Sequence, residues 1–72
     1  MSNADLKKFG NKVRLLRHQN ELTQEQLATL SHLHRTYIGG IERGERNVSI
    51  INLIRISKAL NTTASKLLED IK

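Results

Sequence analysis

Cysteine and proline are absent, and glycine occurs only at positions 10, 39, 40 and 44. Without cysteine there is neither a disulfide nor a thiolate metal site, which suits a reducing compartment. Phe9 and Tyr37 are the only aromatic residues. Proteins that grip single strands stack bases on several aromatic rings, and two rings do not make such a platform. The apolar runs are short and interrupted, so no membrane span is expected. No apolar stretch follows Lys7 and Lys8, so neither a signal nor a transit peptide is expected, and the anticipated location is the cytoplasm. What is plentiful is positive charge. Twelve Lys and Arg stand against seven Asp and Glu, a net +5 on 72 residues. That length supports one domain, 1–72, with a thin core. Its charge points to a polyanionic partner, and the scarcity of aromatics narrows this to duplex DNA.

The periodicity is helical throughout. Leu6, Phe9, Val13 and Leu16 recur at steps of three and four, marking a helix over about 5–19. Thr23 and Gln26 have the spacing of a capping box, with Leu22 in the staple position, and open a helix over about 24–30 whose inner side is Leu27, Ala28 and Leu30. A turn follows, then a helix over about 35–43 with Ile38 and Ile41 inward and Gly44 as its stop. Ser49 caps a helix over about 50–60 carrying Ile50, Leu53, Ile56 and Leu60 inward, and Thr62 or Thr63 caps one over about 64–71. The expectation is an all-α, compact five-helix bundle. Helices two and three, joined by a turn of about four residues, have the form of a helix-turn-helix, whose second helix fits the major groove.

The residues match a known pattern. Arg17, Leu22-Thr23-Gln24-Glu25-Gln26-Leu27-Ala28, Tyr37-Ile38, Ile41-Glu42-Arg43-Gly44, Arg46-Asn47, Ser49, Leu53, Ile56 and Ala59-Leu60 resemble the Xre/Cro, lambda-repressor-like helix-turn-helix family. Arg35-Thr36-Tyr37-Ile38 followed by Gly40-Ile41-Glu42-Arg43 in so short a chain looks most like the controller proteins of restriction–modification systems. The resemblance implies a lambda-repressor-like fold and a transcriptional regulator that binds inverted-repeat operators as a homodimer.

Residue roles follow. Arg35, Thr36 and Tyr37 open the groove-entering helix and are the candidate base readers; an arginine can bond both major-groove acceptors of guanine. Tyr37 combines core packing with base contact if its ring is half-buried and its hydroxyl free. Gln24 begins helix two, where free N–H groups favour an anion, and the resemblance implies a DNA contact. It likewise makes Arg46, Asn47 and Asn52 candidates for the DNA backbone, with Arg43 beside them in the loop after helix three. Family members often carry a base-reading side chain where this chain has Gly40. Gly39 and Gly40 are therefore open to two readings, close approach to DNA or tight packing on helix two. Arg17 and Glu42 resemble the family's structural ion pair. Ile51 and Ile54 widen the apolar face of helix four beyond what one small core needs, and position 51 is commonly polar in the family. With Ile71 they are the candidate dimer interface. Glu25, on helix two, is where RNA polymerase contact would fall.

His18, His32 and His34 lack acidic or thiol partners at ligand spacing, so no metal is expected. No nucleophile–base set and no glycine loop before a helix is present, so neither enzymatic activity nor a cofactor is expected. Competing readings are an antitoxin-like or accessory module, which the short stretch after helix five disfavours, a phage-type repressor, and an architectural DNA binder, which Arg35-Thr36-Tyr37 at a groove-facing helix end disfavours.

Overall fold

Among the described residues, four of the five helices begin at a hydroxyl that accepts from one of their free N–H groups. In the computed structural model, which describes residues 2–72, these are α1 (Asn3–Gln19), α2 (Gln24–Ser31), α4 (Ile50–Ala59) and α5 (Ala64–Leu68), capped by Ser2, Thr23, Ser49 and Thr63. Thr23 and Gln26 form the reciprocal box, at 3.0 and 2.8 Å. Ser2 and Asp5 form another, at 3.1 and 3.3 Å. It starts α1 two residues ahead of the expected boundary and places an acid in the first turn, where the helix dipole favours it. The exception is α3 (Arg35–Glu42), whose N-cap, His34, makes no side-chain cap bond.

The helices stop without proline. Glu21, His32, Gly44 and Asn61 each take the left-handed conformation, at φ 57, 57, 76 and 54°. After each, the chain folds back on the helix it has left. Leu22 N–H donates to the Arg17 carbonyl, Leu33 to Ala28, Glu45 to Gly40 and Thr62 to Ser57, all between 2.9 and 3.1 Å. This is the Schellman closure. Only Gly44 adopts it without the roughly 1–2 kcal/mol that a Cβ costs there. Leu22 and Leu33, one residue past their left-handed positions, pack on the core and so offset the strain. Because of these closures α3 ends at Glu42, and α4 at Ala59; α5 ends at Leu68, not 71.

Phe9, Val13 and Leu16 of α1 meet Leu27 and Ala28 of α2, Ile38 and Ile41 of α3, Ile56 and Leu60 from α4 and its cap, and Leu67 of α5. Two residues expected inward stand outside: Leu30 is 54 % exposed and Ile50 74 %. On α2 the inward place belongs to Ser31, one position on, whose hydroxyl donates to the Leu27 carbonyl at 2.7 Å. On α4, Ile56, Ser57 and Leu60 set the inner face, and Ile50 starts the helix to one side of it. The crossing of α1 over α3 is close. A methyl group at Gly10 would run into the backbone carbonyls of Ile41 and Glu42, and one at Gly44 would lie 2.9 Å from Lys7 Cα. Lys12 ties α1 to the end of the chain, bonding Glu69 at 2.7 Å and Asp70 at 3.1 Å. Among the described residues no helix is long and apolar enough to cross a membrane.

Candidate nucleic-acid interface

One buried carboxylate joins the three helices that build the site. Glu42, at the end of α3, is 2 % exposed. Arg17 of α1 grips it with both arms of its fork, Nε to Oε2 at 2.7 Å and Nη2 to Oε1 at 2.9 Å, while Nη1 donates to the Leu22 carbonyl at 2.8 Å. Gln24, the first residue of α2, donates Nε2 to Oε1 at 3.1 Å. Arg14, one turn before Arg17, brings a second cation to 3.5 Å of Oε1. Its spacing three residues from Arg17 was the available sequence signal. Burial pushes the Glu42 carboxyl up, but the bonds from Arg17 and Gln24 and the adjacent charges outweigh it and hold it below its ordinary range. No buried side-chain polar atom among the described residues lacks a partner.

This hub sets the relative position of α2 and α3. Gln24, Arg35, Thr36, Gly39 and Arg43 line a shallow depression of about 200 Å³. Arg35 and Thr36 are exposed, at the one helix start among the described residues that has no side-chain cap. Gly39 forms part of the floor: a methyl there would lie 3.2 Å from Arg43 Nη1 and 3.5 Å from Gln24 Oε1. Gly40 faces elsewhere. A methyl on it would meet Arg46 Cγ at 2.8 Å, so its neighbour is the loop after α3, not helix two. Arg43 reaches Glu45 at 3.1 Å as an exposed pair.

Tyr37 departs from its expected state. Its ring is half-buried against the core, but its hydroxyl is not free. It donates to the Asn47 carbonyl at 3.0 Å and accepts from Asn52 Nδ2 at 3.3 Å. Tyr37 therefore fastens the start of α4 and the preceding loop to α3, and base contact through the hydroxyl requires that it leave Asn47. Asn52 is held back by the same bond, whereas the side chains of Arg46 and Asn47 are exposed.

On the far side of α4, Ile51 and Ile54 are 64 % and 42 % exposed and Ile50 extends the patch. Ile71 does not belong to it in the same sense. It is half-buried and packed on the core, because the chain turns in after Leu68, where Ile71 N–H meets the Leu68 carbonyl at 2.9 Å.

A basic all-helical chain in which one helix sets a second, exposed at its N-terminus, against a polar depression is a helix-turn-helix protein. The comparisons agree. The helix-turn-helix family profile matches residues 13–67. The chain is 55 % identical to control protein C.SmaI of Serratia marcescens over 89 % of its length and 77 % of that protein's. It is 52 % identical to control protein C.BamHI of Bacillus amyloliquefaciens, over 85 % and 76 % respectively. The crystal structure of the restriction–modification controller protein C.AhdI from Aeromonas hydrophila superimposes with a TM-score of 0.87 at 50 % identity, covering 89 % of this chain and 97 % of that one. The chain belongs to the helix-turn-helix family of DNA-binding transcriptional regulators, and within it is similar to control proteins of this kind and to the restriction–modification controller protein C.AhdI.

Proposed function

We propose that this protein binds a short inverted repeat in duplex DNA as a homodimer and thereby sets transcription of a restriction–modification operon. The observation that carries the reading is the start of α3. Arg35 and Thr36 are exposed there, make no side-chain hydrogen bond among the described residues, and stand over a first turn whose N–H groups have no side-chain cap. At every other described helix start a side chain accepts from one of the first N–H groups; this one leaves all of them for a partner. In this reading Arg35 and Thr36 contact base edges. Gln24, Arg43 and Asn47 contact the backbone or support those that do, fixing register without carrying sequence information, and Arg46 contacts the backbone or backbone and bases together. Tyr37 and Asn52 join them once their mutual bond is exchanged for a bond to DNA.

One such helix reads few base pairs, so selectivity calls for a second copy. Ile50, Ile51 and Ile54 supply an apolar face for it. A two-fold axis there would set two recognition helices about 34 Å apart, one DNA turn, and require a palindromic site. Glu25, exposed on α2, is the side chain on offer to RNA polymerase.

The test is a footprint on the DNA upstream of the protein's own gene. Protection of two half-sites at a concentration that leaves scrambled duplex free is expected, with affinity falling steeply as salt rises. Equal affinity for scrambled DNA overturns the reading. Arg35→Ala should cost about 1–3 kcal/mol of discrimination at the base it reads, while leaving non-specific binding in place.

A further inference from the structure

Gly40 lies on the helix that the proposed reading sets in the groove, and the space over it is not left empty. After Glu42 the chain reverses at Gly44, and the Glu45 N–H returns to the Gly40 carbonyl at 2.9 Å. This closure brings the next residue, Arg46, back across α3. A Cβ built on Gly40 would lie 2.8 Å from Arg46 Cγ, 3.4 Å from Nε and 3.7 Å from Cδ. The aliphatic stem of Arg46 therefore fills the space that a side chain at position 40 would claim. Helical side chains lean towards the N-terminus, over the residues three and four before them. From position 40 those residues are Tyr37 and Thr36.

We infer that Gly40 is a positioning residue for DNA recognition, and that Arg46, seated on it, serves as the side chain of position 40. The arginine comes from a loop but is held along the recognition helix. Glycine is needed because any Cβ would lift Arg46 off its seat. The inference rests on the proposed DNA-binding reading for its consequence, though the seat itself is a property of the free protein.

The experiment is a double-mutant cycle of Gly40→Ala and Arg46→Ala, read by operator affinity and by thermal unfolding. Alanine favours helix over glycine and Arg46 is exposed, so Gly40→Ala should leave the unfolding midpoint unchanged or raised. Operator affinity should nevertheless fall about tenfold, the scale of one lost contact of about 1.4 kcal/mol. In the Arg46→Ala background, Gly40→Ala should have no further effect on affinity. An equal loss in both backgrounds would mean that DNA itself approaches Gly40, and would overturn the proposal; so would an unaltered affinity for Gly40→Ala alone. A second measurement needs no DNA. Nuclear Overhauser contacts between the Gly40 α-protons and the Arg46 γ- and δ-protons are expected in the free wild-type protein, and their absence refutes the seat. Wild-type protein that shows those contacts but selects no operator would instead refute the function proposed above.

Discussion

Arg17 holds both carboxylate oxygens of Glu42, at 2.7 and 2.9 Å, across 25 residues of chain. The pair joins α1 to the end of α3 in a place that is largely buried. Two desolvated charges are costly, and here each is matched by the other and by further bonds from Gln24 and to Leu22. Removing one partner strands the other, which costs about 3–5 kcal/mol. Arg17→Ala and Glu42→Ala should each lose that much in urea denaturation, a large share of what a domain of this size possesses. Replacing both with leucine or methionine should restore much of the loss. A cost below 1 kcal/mol for either single variant would contradict this account.

The same carboxylate sets the response to acid. A group whose folded pKa lies below its unfolded value contributes its full stability above the unfolded value, near 4.5 for Glu42. That contribution declines as pH falls from there through the folded value. Stability measured from pH 6 downward should therefore drop below about pH 5. Glu42→Gln should be less stable at neutral pH and show a shallower drop. Parallel curves for wild type and variant would mean that other carboxylates control acid unfolding.

Backbone geometry makes opposite demands at two sites. His32 holds a left-handed φ of 57° with a full side chain, and His32→Gly should raise stability by up to about 1 kcal/mol. Gly10 is helical and lies against the carbonyls of Ile41 and Glu42. Gly10→Ala should improve helix propensity yet destabilise, by roughly 2 kcal/mol or more, because rigid backbone must move. Thermal unfolding of the two variants reads both; a stabilising Gly10→Ala would show that the α1–α3 crossing has slack.

The isoleucine face offers a separable change. Ile51→Asp and Ile54→Lys alter side chains that are 64 % and 42 % exposed, so the monomer fold should lose less than about 0.5 kcal/mol. Self-association should weaken at least tenfold in sedimentation equilibrium. A wild-type mass that stays monomeric at high micromolar concentration would remove this face from consideration.

Much of this was legible in residue order, for identifiable reasons. Thr23 with Gln26 announces the start of α2, because a hydroxyl and an amide three residues apart have one economical arrangement. The spacing of Phe9, Val13 and Leu16 marks the inner face of α1. His32 gave no such notice. Its left-handed backbone is imposed by the leucine that follows and must return to the helix, and residue type carries little trace of that. Gly10 was silent for a related reason, since its role is a contact with a backbone 31 or more residues away. Ser31, expected in the turn, closes α2 and takes the inward place expected of Leu30, because one step along a short helix turns a side chain by about 100°. The candidate site divides in the same way. Arg35 and Thr36 follow from their place at a helix start, whereas the hold on the Tyr37 hydroxyl depends on a loop carbonyl, which has no side-chain signature.

The unbonded state of Arg35 and Thr36 has an evolutionary consequence. Nothing else in the described structure leans on these two side chains, so replacing them perturbs no core, no cap and no ion pair. In the proposed reading, an operator preference can therefore drift, one exposed residue at a time, without passing through an unfolded ancestor. Glu42, Gln24 and Gly10 have no such latitude, and lineages that diverge in the DNA they recognise should do so mainly at the first turn of α3.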